Sequence, residues 1–160
     1  MAIRSIVALL VTVVILTGCG GIAGEVKPGE PMARMCEAAQ AQGDAVGLGR
    51  AAVATRETRD GSSGRYIAEA DLRRQSAASL RESAGQLEAG LDSPSPGYAK
   101  AEAQVAAAQP SVEVAVRALV GRPNTDAATE ARLLDEAAAA VLAIEMPPEC
   151  VRISTPSAAP

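Results

Sequence analysis

Tyr98, Val105, Val112 and Leu119 recur every seven residues, with Ala101, Ala108 and Ala115 between them at spacings of three and four. A helix built on this heptad seam carries one long apolar stripe that partner helices must cover. Its alternate small residues let those partners come close. The rest of the chain is of the same kind. Ala, Leu, Glu, Gln and Arg dominate, all good helix formers. Alternating β-branched and aromatic runs, the mark of strands, are absent apart from a brief stretch at 112–116. The sequence therefore predicts an all-α fold.

Helix breakers divide it into four segments. The first is expected from Pro31, suited to a helix start, to about Thr58, with Met32, Cys36, Ala39, Gly43, Val46 and Val53 on one face. Gly43, Gly47 and Gly49 weaken it and leave it open to a break. A loop follows at 60–64. The second segment, 65–91, places Tyr66, Ala70, Ala77, Leu80, Ala84, Leu87 and Leu91 together. A stop at 92–96 ends it, and Ser95 with Pro96 is expected to cap and open the third. Pro110 should kink that helix near Ala106, whose carbonyl loses its donor. The fourth is expected to start after Asn124 or Thr125 as cap and to run to Met146. Leu134, Ala138 and Val141 mark its buried face, widened by Leu133, Ala137 and Ile144. Pro147 and Pro148 end it.

Four consecutive helices suggest an up-down-up-down bundle over 31–151, with 152–160 as a disordered tail. In such a bundle the start of the first helix and the end of the fourth lie together, where Cys36 and Cys150 fall. Outside the cytoplasm an even cysteine pair usually forms a disulfide.

The N-terminus points to that compartment. Arg4 is followed by an apolar run from Ile6 to Leu16 broken only by Thr12, the layout of an export signal. The run is too short for a membrane span of ~20 residues. Leu16-Thr17-Gly18-Cys19 resembles the lipobox of bacterial lipoproteins. The resemblance implies that 1–18 is removed and that Cys19 carries diacylglycerol as the first residue of the mature chain. It also implies a lipid anchor on the extracytoplasmic face of the cell membrane. Two acyl chains make such an anchor stable where one is marginal. Residues 19–30 then read as a flexible leash with a reach of roughly 15–20 Å.

Composition narrows the function. Removing Arg4 takes Lys+Arg from 15 to 14 against 19 Asp+Glu, leaving the mature side chains at −5. That balance argues against nucleic acid. Without histidine, Ser-His-Asp, Cys-His and helical Glu-x-x-His sites cannot be built, and no metal site or cofactor is expected. A Ser–Lys pair would have to use Lys27 in the leash or Lys100 near a helix start. The segment 47–52 fits G-x-G-x-x-A but lacks the preceding strand a dinucleotide loop needs. Asp135 with Glu136, and Glu145 with Glu149, read as carboxylates solvating helix faces. Enzymatic activity is not expected.

One pattern is left. Arg56, Arg59, Arg65, Arg117 and Arg122 gather near the loops after the first and third helices, against Glu57, Asp60, Glu113 and Asp126. The opposite end carries Glu30, Glu37, Glu88, Asp92, Glu102, Glu145 and Glu149 against Arg34, Lys100 and Arg152. A mildly basic tip above an acidic base suits an adaptor that meets an envelope protein or an anionic wall polymer. The alternative is a carrier or sensor of a small apolar ligand held between the helices, with Pro110 and the glycines of the first helix as opening points. The thin apolar content disfavours it.

Overall fold

The computed structural model describes residues 26–27, 29–56, 61–121, 125–145, 147–148 and 150. The signal at 1–18, Cys19, Arg59, Arg122, Asn124 and the tail at 152–160 lie outside them. Among the described residues the chain is all-helical: α1 (Glu30–Thr55), α2 (Ser62–Ala89), α3 (Tyr98–Val120) and α4 (Ala127–Leu142), with no strand. No helix among them is long and apolar enough to cross a membrane.

α1 runs unbroken through Gly43, Gly47 and Gly49. Packing explains why: α1 touches all three other helices, whereas α2 and α4 do not meet. Tertiary contacts on several sides outweigh the weak propensity of three glycines. The same position widens its buried face beyond the expected stripe, to include Met35, Ala38, Ala41, Gln42, Ala45 and Ala52.

The helix starts differ from expectation. Each of α1, α2 and α3 is preceded by a glycine at positive φ: Gly29, Gly61 and Gly97. Only a residue without Cβ turns the chain this way at little cost. α2 therefore begins at Ser62, inside the expected loop, and the Ser63 hydroxyl donates to the Ala52 carbonyl of α1 at 3.0 Å. Ser95 does not cap α3. Its amide and hydroxyl donate to the two Glu88 carboxylate oxygens at 2.7 and 2.6 Å, which closes the α2–α3 turn instead. α4 is capped by Asp126, whose carboxylate accepts from the Thr129 amide at 2.9 Å; Thr125 lies one residue too early. That bond holds the Asp126 carboxyl below its ordinary pKa.

α3 is also continuous through the exposed Pro110. Every residue of its heptad seam is buried, from Tyr98 to Leu119.

The core divides into two apolar clusters. One gathers Met32, Met35, Tyr98, Val105 and the two cysteines. The other gathers Val46, Val112, Val116, Leu119 and Leu134. Between them is a waist that holds Ala77, Ala108 and the buried Gln42, whose Nε2 donates to the Val105 carbonyl at 3.1 Å. Cys36 and Cys150 stand at disulfide distance, with Cα atoms 5.3 Å apart and a sequence separation of 114. Closing a loop of that size removes about 5 kcal/mol of freedom from the unfolded chain on the entropy model.

Candidate functional site

The end of the bundle that holds the α1–α2 turn contains three of the five arginines read as a tip. They are not equivalent. Arg56, just past α1, pairs with Glu130 of α4, a carboxylate only 1% exposed. Such a pair ties two helices together, and removing either partner leaves a charge stranded in a low-dielectric site. Arg117 pairs with Glu113 one turn back at 2.5 Å and stays largely exposed. Arg65 is exposed on the first turn of α2. The tip thus keeps Arg65 and Arg117 at its surface, while Arg56 serves packing.

Sequence periodicity missed a groove of about 500 Å³ at the same end, lined by Thr55, Arg56, Ser63, Ile67, Leu119 and Val120. Val120 ends α3 half-exposed, at 51%. An apolar floor with one guanidinium, Arg56, in its wall can receive an anchor side chain from another protein. The only signal for it in the sequence is Val120 itself, one apolar residue beyond the end of the heptad seam.

A second groove, about 620 Å³, lies between α2 and α3 towards the other end. Its lining includes Arg81, Glu82, Gly85, Tyr98, Glu102 and Gln109. Arg81 reaches Glu102 at 3.4 Å and donates to Gln109. Tyr98 is 8% exposed, and its hydroxyl is buried without a hydrogen-bond partner among the described residues. Burial first, then the carboxylates of Glu102 and Glu88, push the phenol above its ordinary pKa; Arg81 opposes them more weakly.

Of the carboxylate pairs, Glu149 lies outside the described residues and the other three carboxylates have partners nearby. Asp135 pairs with Arg50 at 2.6 Å, Glu136 with Arg132, and Glu145 with Lys100 at 2.5 Å. The glycine motif at 47–52 lies inside α1, where no loop can cradle a phosphate. Among the described residues no group of three or more carboxylates and cysteines is placed to hold a metal ion. The apolar gap beside the cysteine pair, lined by Met35, Ala101, Val105 and Ile144, has no room for a water molecule. The chain matches no family model, no curated protein and no solved structure.

Proposed function

We propose that the chain is a lipid-anchored extracytoplasmic adaptor whose helical domain docks an envelope protein at its tip. The observation that carries this reading is the tip groove, which combines the half-exposed Val120 with Leu119 and Ile67 beside Arg56. Partner anchors are apolar or aromatic side chains seated in such pockets and ringed by charge.

The order of contacts supports an up-down-up-down course. α1 meets α4 through Cys36–Cys150, Arg50–Asp135 and Arg56–Glu130, so one numbering rises as the other falls. α2 meets α3 in the same opposed sense, through Arg74–Glu113 and Arg81–Glu102. The place of Val26, the first described residue, fits this arrangement. Val26 packs against Gly90 at the α2–α3 turn, the end away from the groove. A lipid on Cys19 would then hold that end near the membrane and present the tip outward. The reading of an apolar ligand between the helices draws no support from the closed gap beside the cysteines.

The test is cross-linking in native membranes, followed by purification and mass spectrometry of the captured partner. Val120→Asp together with Arg65→Ser and Arg117→Ser should abolish capture without shifting the melting temperature, because all three side chains are exposed. Arg56 is left intact because Glu130 depends on it. Capture that survives the triple change rules out the tip.

A further inference from the structure

We propose that the groove between α2 and α3 is a binding site for an alkylammonium group, held by the Tyr98 hydroxyl and the Glu82 and Glu102 carboxylates. The site lies apart from the tip and does not depend on the adaptor reading.

The groove lies in the size range of small-ligand sites. At its inner side is a hydroxyl without a partner, on a tyrosine more than nine-tenths buried. A buried polar group left unmatched destabilises a fold, so a ligand that completes its hydrogen bonding gains on entry. Gly85 lies beside this hydroxyl: a Cβ at that position would stand 3.8 Å from its oxygen, in ordinary van der Waals contact. A glycine in the interior of α2 costs helix stability, and at this position it leaves the space next to the hydroxyl unfilled by a methyl group.

Charge selects the ligand. Glu82 is exposed and has no ion-pair partner among the described residues. Arg81, the only cation among the described lining residues, is already engaged by Glu102 and Gln109. Two carboxylates, Glu82 and Glu102, face that one guanidinium in the lining, and the Glu102 and Glu88 charges both disfavour ionisation of the Tyr98 phenol. An anion would be repelled there. An ammonium can donate to the phenol oxygen and to a carboxylate at once, while its alkyl chain lies along Ala78 and Ala99. The group can arrive on a free diamine or on a lysine side chain of another protein.

The test is amide NMR of the full chain in detergent micelles, titrated with 1,5-diaminopentane, with Nα-acetyl-lysine methylamide and with pentanoate. Shifts at Gly85, Tyr98 and Ala99 with either amine are expected, and none with pentanoate. Response to the diamine alone assigns a free polyamine; response to the lysine derivative assigns a protein side chain. Tyr98→Phe should weaken binding roughly tenfold, as for one hydrogen bond to a charged group, with the melting temperature unchanged or raised. Glu82→Gln should weaken it as well and leave the fold intact. Silence with both amines overturns the site. So does binding that Tyr98→Phe leaves unaltered, or a response to pentanoate in place of the amines.

Discussion

Gly47 and Gly49 are two residues apart in the same helix, yet alanine should have opposite effects at the two positions. Either change removes the helix-interior penalty of glycine, about 1 kcal/mol. At Gly47 an added Cβ meets nothing within 4 Å, so the full gain is retained. At Gly49 it would lie 2.7 Å from Leu134 Cδ2 and 3.1 Å from Leu119 Cδ1. Carbon atoms rest near 3.5 Å or beyond, so the Leu134 methyl must retreat by about 0.8 Å. Both leucines are 1% exposed and have little space to move into. Overpacking of this kind costs about 1–3 kcal/mol. Set against the propensity gain, the net loss is about 1 kcal/mol, and the two variants should differ by about 2 kcal/mol. For a domain of this size that is a separation of roughly 8 °C in melting temperature, read by circular dichroism at 222 nm under non-reducing conditions. Equal stabilisation by both substitutions would refute the close approach of α1 to Leu119 and Leu134. No gain from Gly47→Ala would refute a continuous α1.

Two further outcomes follow from the polar groups in the fold. Arg56→Met should cost about 3 kcal/mol, because Glu130 is left buried without its counter-charge. Adding Glu130→Leu should restore most of that loss in chemical denaturation, whereas equal instability of the double variant would show that the pair is not the cause. The Tyr98 phenol should ionise above the ordinary 10.0 in the folded protein. The folded state then holds that proton more tightly than the unfolded chain, so the contribution is complete below pH 10 and is lost as pH rises through the higher folded value. Absorbance titration at 295 nm of a Tyr66→Phe variant isolates the group, and a midpoint at or below 10 would contradict its burial.

The heptad seam of α3 was legible because Tyr98, Val105, Val112 and Leu119 alternate with alanine at spacings of three and four, and all seven residues are buried; Val116, buried beside the seam, fell outside that spacing. α2 was legible only in part. Its expected face does hold the buried Ala70, Ala77 and Ala84, but Tyr66, Leu80, Leu87 and Leu91 on that face are only partly covered. α2 packs on α1 and α3 and never meets α4, so the strip it buries is narrow and admits small residues first. Ala68 and Ala89 are exposed on the same helix, and a residue type used on both faces says little about which faces inward. The helix starts were misplaced for a different reason. Ser95 and Pro96 have the chemistry of a cap, but Glu88, seven residues upstream, engages Ser95 first. Of the candidate site, the arginines were visible and their roles were not. Glu130 lies four residues before Leu134 and Gln42 four before Val46, both on apolar stripes. A hydrophobic periodicity discounts such positions because they are polar. Their burial follows from partners on other helices, which spacing within one helix cannot reveal.

Those polar positions bear on how so alanine-rich a core specifies one arrangement. Alanine knobs are all alike, so two alanine faces can slide past one another with little change in fit, and shape alone selects register weakly. Along α1 and at the residue just past it, the unlike contacts that reach the interior fall at Cys36, Gln42, Gly49 and Arg56, close to one per two turns, while Arg50–Asp135 stays at the surface. Their partners are Cys150, the Val105 carbonyl, Leu119 with Leu134, and Glu130. Three of the four engage α4 or the segment just after it, and two engage α3. A slip of α4 by one turn, about 5.4 Å, would part Cys36 from Cys150, strand Glu130 and drive a different residue against Gly49. Each of these errors is costly by itself, and every slip incurs them together. The register of the bundle is therefore set by four particular contacts on its central helix, and the alanines between them allow the close approach those contacts require.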